Sequence, residues 1–129
     1  MTFEFDSWAS IIEVQAAYST GTGGAIFALR LALDTGATQT VINPTSLRQI
    51  PDFRERVEGG YNVETANGEV VTFGLRLPAL FALGLMREEF TVIVHDIGSS
   101  LPSDGVIGLD FLRERELRIN FRRGEIELN

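Results

Sequence analysis

LALDTGATQTVI, residues 31–42, places Asp34, Thr35 and Gly36 between two apolar runs. The segment before it, IFALRLAL (26–33), reads as an apolar strand, so Asp34 is expected where a buried strand ends. Thr35 offers a hydroxyl, and Gly36 lets the backbone turn sharply with its N–H free to hold the Asp34 carboxylate. Asp and Gly are also ordinary β-turn residues. The triplet alone therefore leaves two readings open: a polar turn between strands, or a carboxylate placed for chemistry.

The chain around it is 129 residues long, enough for one domain with a real core, taken as 1–129. Its 44% hydrophobic and 22% charged content is that of an ordinary globular protein. A formal charge of -7 argues against non-specific nucleic-acid binding, which needs a basic face. With no cysteine, disulfides, thiolate zinc sites and cysteine nucleophiles are excluded. His95 is the one histidine, so a multi-histidine metal site is excluded too. MTFEFDSWAS at the start has two acids and no basic residue, unlike a secretory leader. No apolar run reaches the roughly 20 residues of a membrane helix. A soluble, cytoplasmic protein is expected, with no membrane partner.

Strand signals dominate. IIEVQAAY (11–18) and IFALRLAL (26–33) flank the glycine-rich turn 19–25, and ATQTVINP (37–44) reads as a third strand. A short helix is expected from Thr45 or Ser46, limited by Pro51. YNVETANGEVVTFGLRL (61–77) reads as a hairpin turning at Asn67-Gly68. LFALGL (80–85) and FTVIVHDI (90–97) read as two further strands, SSLPSDG (99–105) as a loop and VIG (106–108) as a short apolar piece. LDFLRERELR (109–118) reads as one or two helical turns, and 118–129 as two short strands around Arg123-Gly124. The expected class is all-β, a small barrel or sandwich.

Four ordered segments decide between the readings of Asp34. L-x-L-D-T-G-A-T-x-T-V-I resembles the active-site segment of the retroviral-type aspartic proteases, the retropepsins. V-E-T-A-N-G-E-V resembles the flap hairpin of bacterial members, and G-V-I-G-L-D-F-L their apolar-apolar-Gly segment. L-R-I-N-F-R-R-G-E-I-E-L resembles the closing strand pair, so the likeness runs from about residue 11 to 129.

That resemblance implies a closed barrel of the acid-protease type with a flap and one short C-terminal helix. It also implies an aspartic endopeptidase in which two aspartates share a proton and activate a water. Two carboxyls about 3 Å apart cannot both ionise, so one serves as acid and the other as base. Ser103-Asp104-Gly105 is a poor second triplet, because it follows Leu101-Pro102 in a loop and not a long apolar strand. The second aspartate is therefore expected from a second copy, in a two-fold homodimer. No cofactor or metal is implied.

By the same resemblance, Asp34, Thr35 and Gly36 form the catalytic triplet, Thr35 bonding across the two-fold axis. The hairpin 61–73 would fold over a peptide held by Ala37, Thr65, Ala66, Asn67 and Gly68. Leu101, Val106 and Ile107 would line side-chain subsites, and Gly108 would permit close packing against the active-site loop. Two departures stand out. Leu109 follows Gly108 where retroviral enzymes usually have arginine, and Thr38-Gln39 replace their acids. The alternative function is a non-proteolytic, dimeric peptide-binding domain of the same fold.

Other candidates carry plainer readings. His95-Asp96 invites a hydrolase triad, but neighbours on a strand point to opposite faces. RERELR (113–118) reads as a solvated helical face. Trp8, Phe3 and Phe5 are expected to pack on the barrel or in the dimer interface, the core being the favoured role, and Asp104 and Asp110 are weak candidates for a cation.

Overall fold

The computed structural model describes residues 1–21, 24–65, 67–98 and 103–129; the side chains of Val63 and Thr65 lie outside that description. The strands are β1 (Thr2–Glu4), β2 (Glu13–Ser19), β3 (Ile26–Leu33), β4 (Val41–Ile42) and β5 (Val57–Thr65). They continue as β6 (Gly68–Ala82), β7 (Leu85–Val94), β8 (Gly105–Ile107), β9 (Leu117–Asn120) and β10 (Glu125–Leu128). A 3₁₀ turn covers Pro44–Leu47, and the helices α1 (Phe53–Arg56) and α2 (Leu109–Leu112) have one turn each.

Six strands close into a barrel in the order β2-β3-β8-β4-β7-β6, with β6 returning to pair with β2 from Ala16↔Ala82 to Ser19↔Ala79. Strand β8 slots between β3, which it parallels, and β4, which it opposes. Strand β5 extends the sheet beyond β6, and β1-β10-β9 form a separate three-stranded sheet. The fold is all-β, as expected.

The core follows from strand alternation. In β3, Leu29 and Leu31 point inward while Arg30 between them points out. Ile42, Leu75, Leu77, Leu80, Val92, Ile107 and Phe111 meet them inside, all fully buried. Each such side chain contributes about 1.5–3 kcal/mol by leaving water. No helix among the described residues is long and apolar enough to cross a membrane.

Several expected boundaries are corrected. The segments 61–77 and 80–85 share one strand, since β6 runs unbroken through Pro78. Pro78 falls after the last β5 partner, at Leu75, and before the first β2 partner, at Ala79. No neighbour on that side needs the N–H that proline lacks. The next turn is Leu83-Gly84, both at positive φ (53° and 75°), as a two-residue type I′ hairpin requires. The turn of the preceding hairpin also shifts, because Gly68 already pairs with Thr65 as the first residue of β6.

Of the strand expected over 37–44, only Val41–Ile42 pairs. Of the one or two helical turns expected within 109–118 there is one, ending at Leu112, because Arg113 turns extended (ψ 141°) and Glu114 takes φ 63°. RERELR is thus not a helical face, and its ion pair is Arg118 with Glu116, two residues apart. Strand β1 was not anticipated. Phe3 and Phe5 do pack on the core, but Trp8 is 95% exposed, its N–H capped by the Asp6 carboxylate.

Candidate active site

Strand β3 delivers Asp34 to the barrel rim. The Asp34 N–H donates to the Ile107 carbonyl at 3.0 Å, which ties the start of the loop to β8. The Ala37 N–H donates to the Asp34 carbonyl at 3.1 Å and closes a tight turn. Within that turn the Gly36 N–H donates to Asp34 Oδ1 at 2.9 Å, the bond anticipated from the triplet. Asp34, Thr35 and Gly36 are all exposed. The expected burial of Asp34 is corrected: β3 ends at Leu33, and the triplet rises past the packed rim of its own barrel.

Asp34 opens onto a groove of about 890 Å³. Its floor is built by register: Ile93 pairs with Val41, and Val41 with Val106, so β7, β4 and β8 each present one apolar residue. Asn62, Glu64, Asn67 and Val70 of the β5–β6 hairpin border it on another side, with His95, Asp96 and Ile97 at the end of β7. A second cavity, about 740 Å³, lies between the N-terminal segment and β2–β3; Phe3 and Phe5 line it, and none of the residues expected to be catalytic or to bind peptide does.

The groove brings together Asp34, Gly36, Ala37, Asn67 and Val106. Ile107 is corrected: it is fully buried in the core, because adjacent strand residues face opposite ways and Val106 takes the groove side. Ala66 and Leu101 lie outside the described residues, as does the side chain of Thr65. Gly108 is packed hard on the loop, where an added Cβ would sit 2.6 Å from the Gln39 carbonyl and 2.9 Å from the Ala37 oxygen.

Gln39, Val41, Ile93, His95 and Ile97 border the groove and were not foreseen as lining it. Alternation along 90–97 carried a signal for Ile93 and His95, two residues apart. Asp104 and Asp110 are structural. Asp104 accepts from the Arg30 N–H and the Ser46 hydroxyl, and Asp110 from Thr40. Among the described residues no cluster of three or more His, Asp or Glu side chains could hold a metal.

A closed barrel with one Asp-Thr-Gly loop at its rim is an acid-protease architecture. The chain belongs to the aspartyl protease family, whose model matches residues 22–111, well over half its length. It is similar in structure to a retropepsin-like aspartic protease from Rickettsia conorii, with a TM-score of 0.69 at 16% sequence identity. That superposition covers 100% of this chain and 89% of the other, and shows a retropepsin-like fold. No curated protein matches the chain.

Proposed function

We propose that this protein is an aspartic endopeptidase whose active unit is a homodimer. One observation carries the reading: the Asp34 carboxylate stands exposed at the rim of a peptide-sized groove, one oxygen held by the Gly36 N–H. The chain holds a single Asp-Thr-Gly, so a shared-proton pair needs a second copy. A two-fold axis through the rim sets two Asp34 carboxyls face to face.

In that pair one carboxyl is protonated and the other is not. The charged one takes a proton from water, whose oxygen attacks the peptide carbonyl carbon. The protonated one gives its proton to the carbonyl oxygen, forming a tetrahedral diol. Collapse breaks the C–N bond as the newly protonated carboxyl gives its proton to the leaving nitrogen and the newly charged one takes a proton from a diol hydroxyl. The two protonation steps belong to the pair and not to either residue.

In this reading Thr35 bonds across the axis, and Gly36 keeps the dyad free of side-chain bulk. The β5–β6 hairpin acts as the flap. Ala37, Thr65, Ala66, Asn67 and Gly68 bind the peptide, with backbone groups adding strand-like bonds. Val106 lines a subsite floor, with Leu101 beside it. A cytoplasmic setting accords with the cysteine-free composition.

The test is digestion of a diverse peptide pool at mildly acidic to neutral pH, read by mass spectrometry. Wild type and Asp34→Asn are compared, each shown to be dimeric. Wild type is expected to cleave and the mutant to lose at least about 10²–10⁴-fold, the share of acid–base chemistry in such a step. No cleavage by dimeric wild type would replace the enzyme with a domain that holds peptides without cutting them.

A further inference from the structure

The loop 34–40 is held chiefly from one side, by residues 107–111. Besides the Asp34–Ile107 bond, the Leu109 N–H donates to the Ala37 carbonyl at 2.8 Å and the Asp110 N–H to the Thr38 carbonyl at 3.2 Å. At the loop's far end Thr40 is a fully buried polar residue. Its hydroxyl donates to Asp110 Oδ1 at 2.7 Å and accepts the Gly108 N–H at 3.1 Å, so both of its roles are taken. The Thr40 N–H is shared between the two Asp110 carboxylate oxygens, at 2.9 and 3.0 Å. Asp110 Oδ1 also accepts the Phe111 N–H at 2.8 Å. All of these partners of the Asp110 side chain are donors, so only an acceptor group fits there.

We infer that Asp110 and Thr40 are positioning residues for Asp34, setting the placement of the loop 34–40 on the barrel rim. The inference rests on Asp34 being the catalytic aspartate. A misplacement of about 1 Å remote from the chemistry costs as much as 10²-fold in rate. A dyad of two Asp34 groups is stricter still, because any shift of the loop occurs in both copies at once. Gly108 leaves little slack to absorb a shift, since even a methyl added there would sit 2.6 Å from the Gln39 carbonyl.

Asparagine at 110 keeps the size and one acceptor oxygen but turns an NH₂ toward the Thr40 N–H that Oδ2 accepts. Valine at 40 keeps the shape and loses the hydroxyl, while serine keeps the hydroxyl. The test uses the full chain as wild type, Asp110→Asn, Thr40→Val and Thr40→Ser, on a peptide the wild type cleaves. Asp110→Asn and Thr40→Val are expected to lower kcat by about 10–100-fold with KM nearly constant. Thr40→Ser recovers most of that loss. Hydrogen exchange on the same proteins should show residues 34–40 exchanging faster in the two damaging variants, with β2 and β6 unchanged. Faster exchange across the whole barrel, or unchanged kcat in a folded variant, overturns the inference.

Should Asp110→Asn fail to fold, Thr40→Val decides by the same two readings. If wild type cleaves nothing, the proposed function falls and exchange alone judges the clamp. Faster exchange confined to 34–40 then sustains it, and unchanged exchange overturns it.

Discussion

Asp104 and Arg30 are bound to each other twice through the backbone of β3. The Asp104 carboxylate accepts the Arg30 N–H at 2.8 Å, and the Asp104 N–H donates to the Arg30 carbonyl at 2.7 Å. The other carboxylate oxygen accepts the Ser46 hydroxyl at 2.8 Å, so one side chain joins β3, the entry to β8 and the 3₁₀ turn. Asp104→Ala removes both side-chain bonds and is expected to cost about 2–3 kcal/mol. Urea unfolding would show this as a lower midpoint at constant slope; an unchanged midpoint would mean water replaces the bridge without loss.

Glycines 108 and 60 should respond oppositely to alanine. At Gly108 the new methyl would meet backbone at 2.6 Å, which cannot swing aside as a side-chain end can. Gly108→Ala is expected to destabilise by about 1–3 kcal/mol or more and to displace the loop under Asp34, lowering turnover. At Gly60 the nearest atom would be a Val71 methyl at 3.7 Å, an ordinary contact. Gly60→Ala should shift stability by no more than about 1 kcal/mol. Thermal melts of both variants check the contrast, and equal melting points would refute it.

Tyr18 is buried with its hydroxyl donating to the Ser46 carbonyl at 3.0 Å. Burial raises its phenol above the usual value of 10.0. Because the folded value is the higher one, this stabilisation is fully present below about pH 10. It is lost as pH rises through the raised folded value. Tyr18→Phe should cost about 1 kcal/mol at neutral pH, for the lost bond. The mutant should also show a shallower fall of stability in alkali than wild type. Chemical unfolding in neutral and alkaline buffer measures both, and parallel pH curves would remove Tyr18 as the cause.

Glu114 takes the left-handed backbone conformation on an exposed surface, where a Cβ is a burden. Glu114→Gly should relieve that strain and stabilise the chain by about 0.5–1 kcal/mol, net of the extra freedom of unfolded glycine. A melting point at or below that of wild type would contradict this.

The strand 26–33 and the hairpin arms around residue 66 were legible because their apolar periodicity is local. Asp34 and Gly36 were legible because a triplet carries its own hydrogen bond. The Leu83-Gly84 turn was hidden, since Leu83 is a poor turn residue and is kept at positive φ by burial among the core residues. The run 109–118 misled because alternating charges imitate a helix, while Leu117 pairs with Leu128 and draws the chain into β9. Val106 was expected to line a subsite, but its place beside Val41 and Ile93 in one groove floor was not legible. Those residues become neighbours only when β4 lies between β7 and β8.

Strand β8 is three residues long, yet it is the stave between β3 and β4 that completes the barrel wall. During synthesis Asp34 leaves the ribosome well before residues 105–110, with its triplet already covalently complete. Residues 105–107 must follow before the wall can close, and residues 108–110 before the loop is braced. A nascent chain stopped short of them holds every atom of the Asp34-Thr35-Gly36 triplet and lacks the main brace of its loop. Long-range pairing of this kind forms late, because loop closure must precede its reward. The order of residues along the chain thus delays the fixing of Asp34 until residues 105–110 have been made.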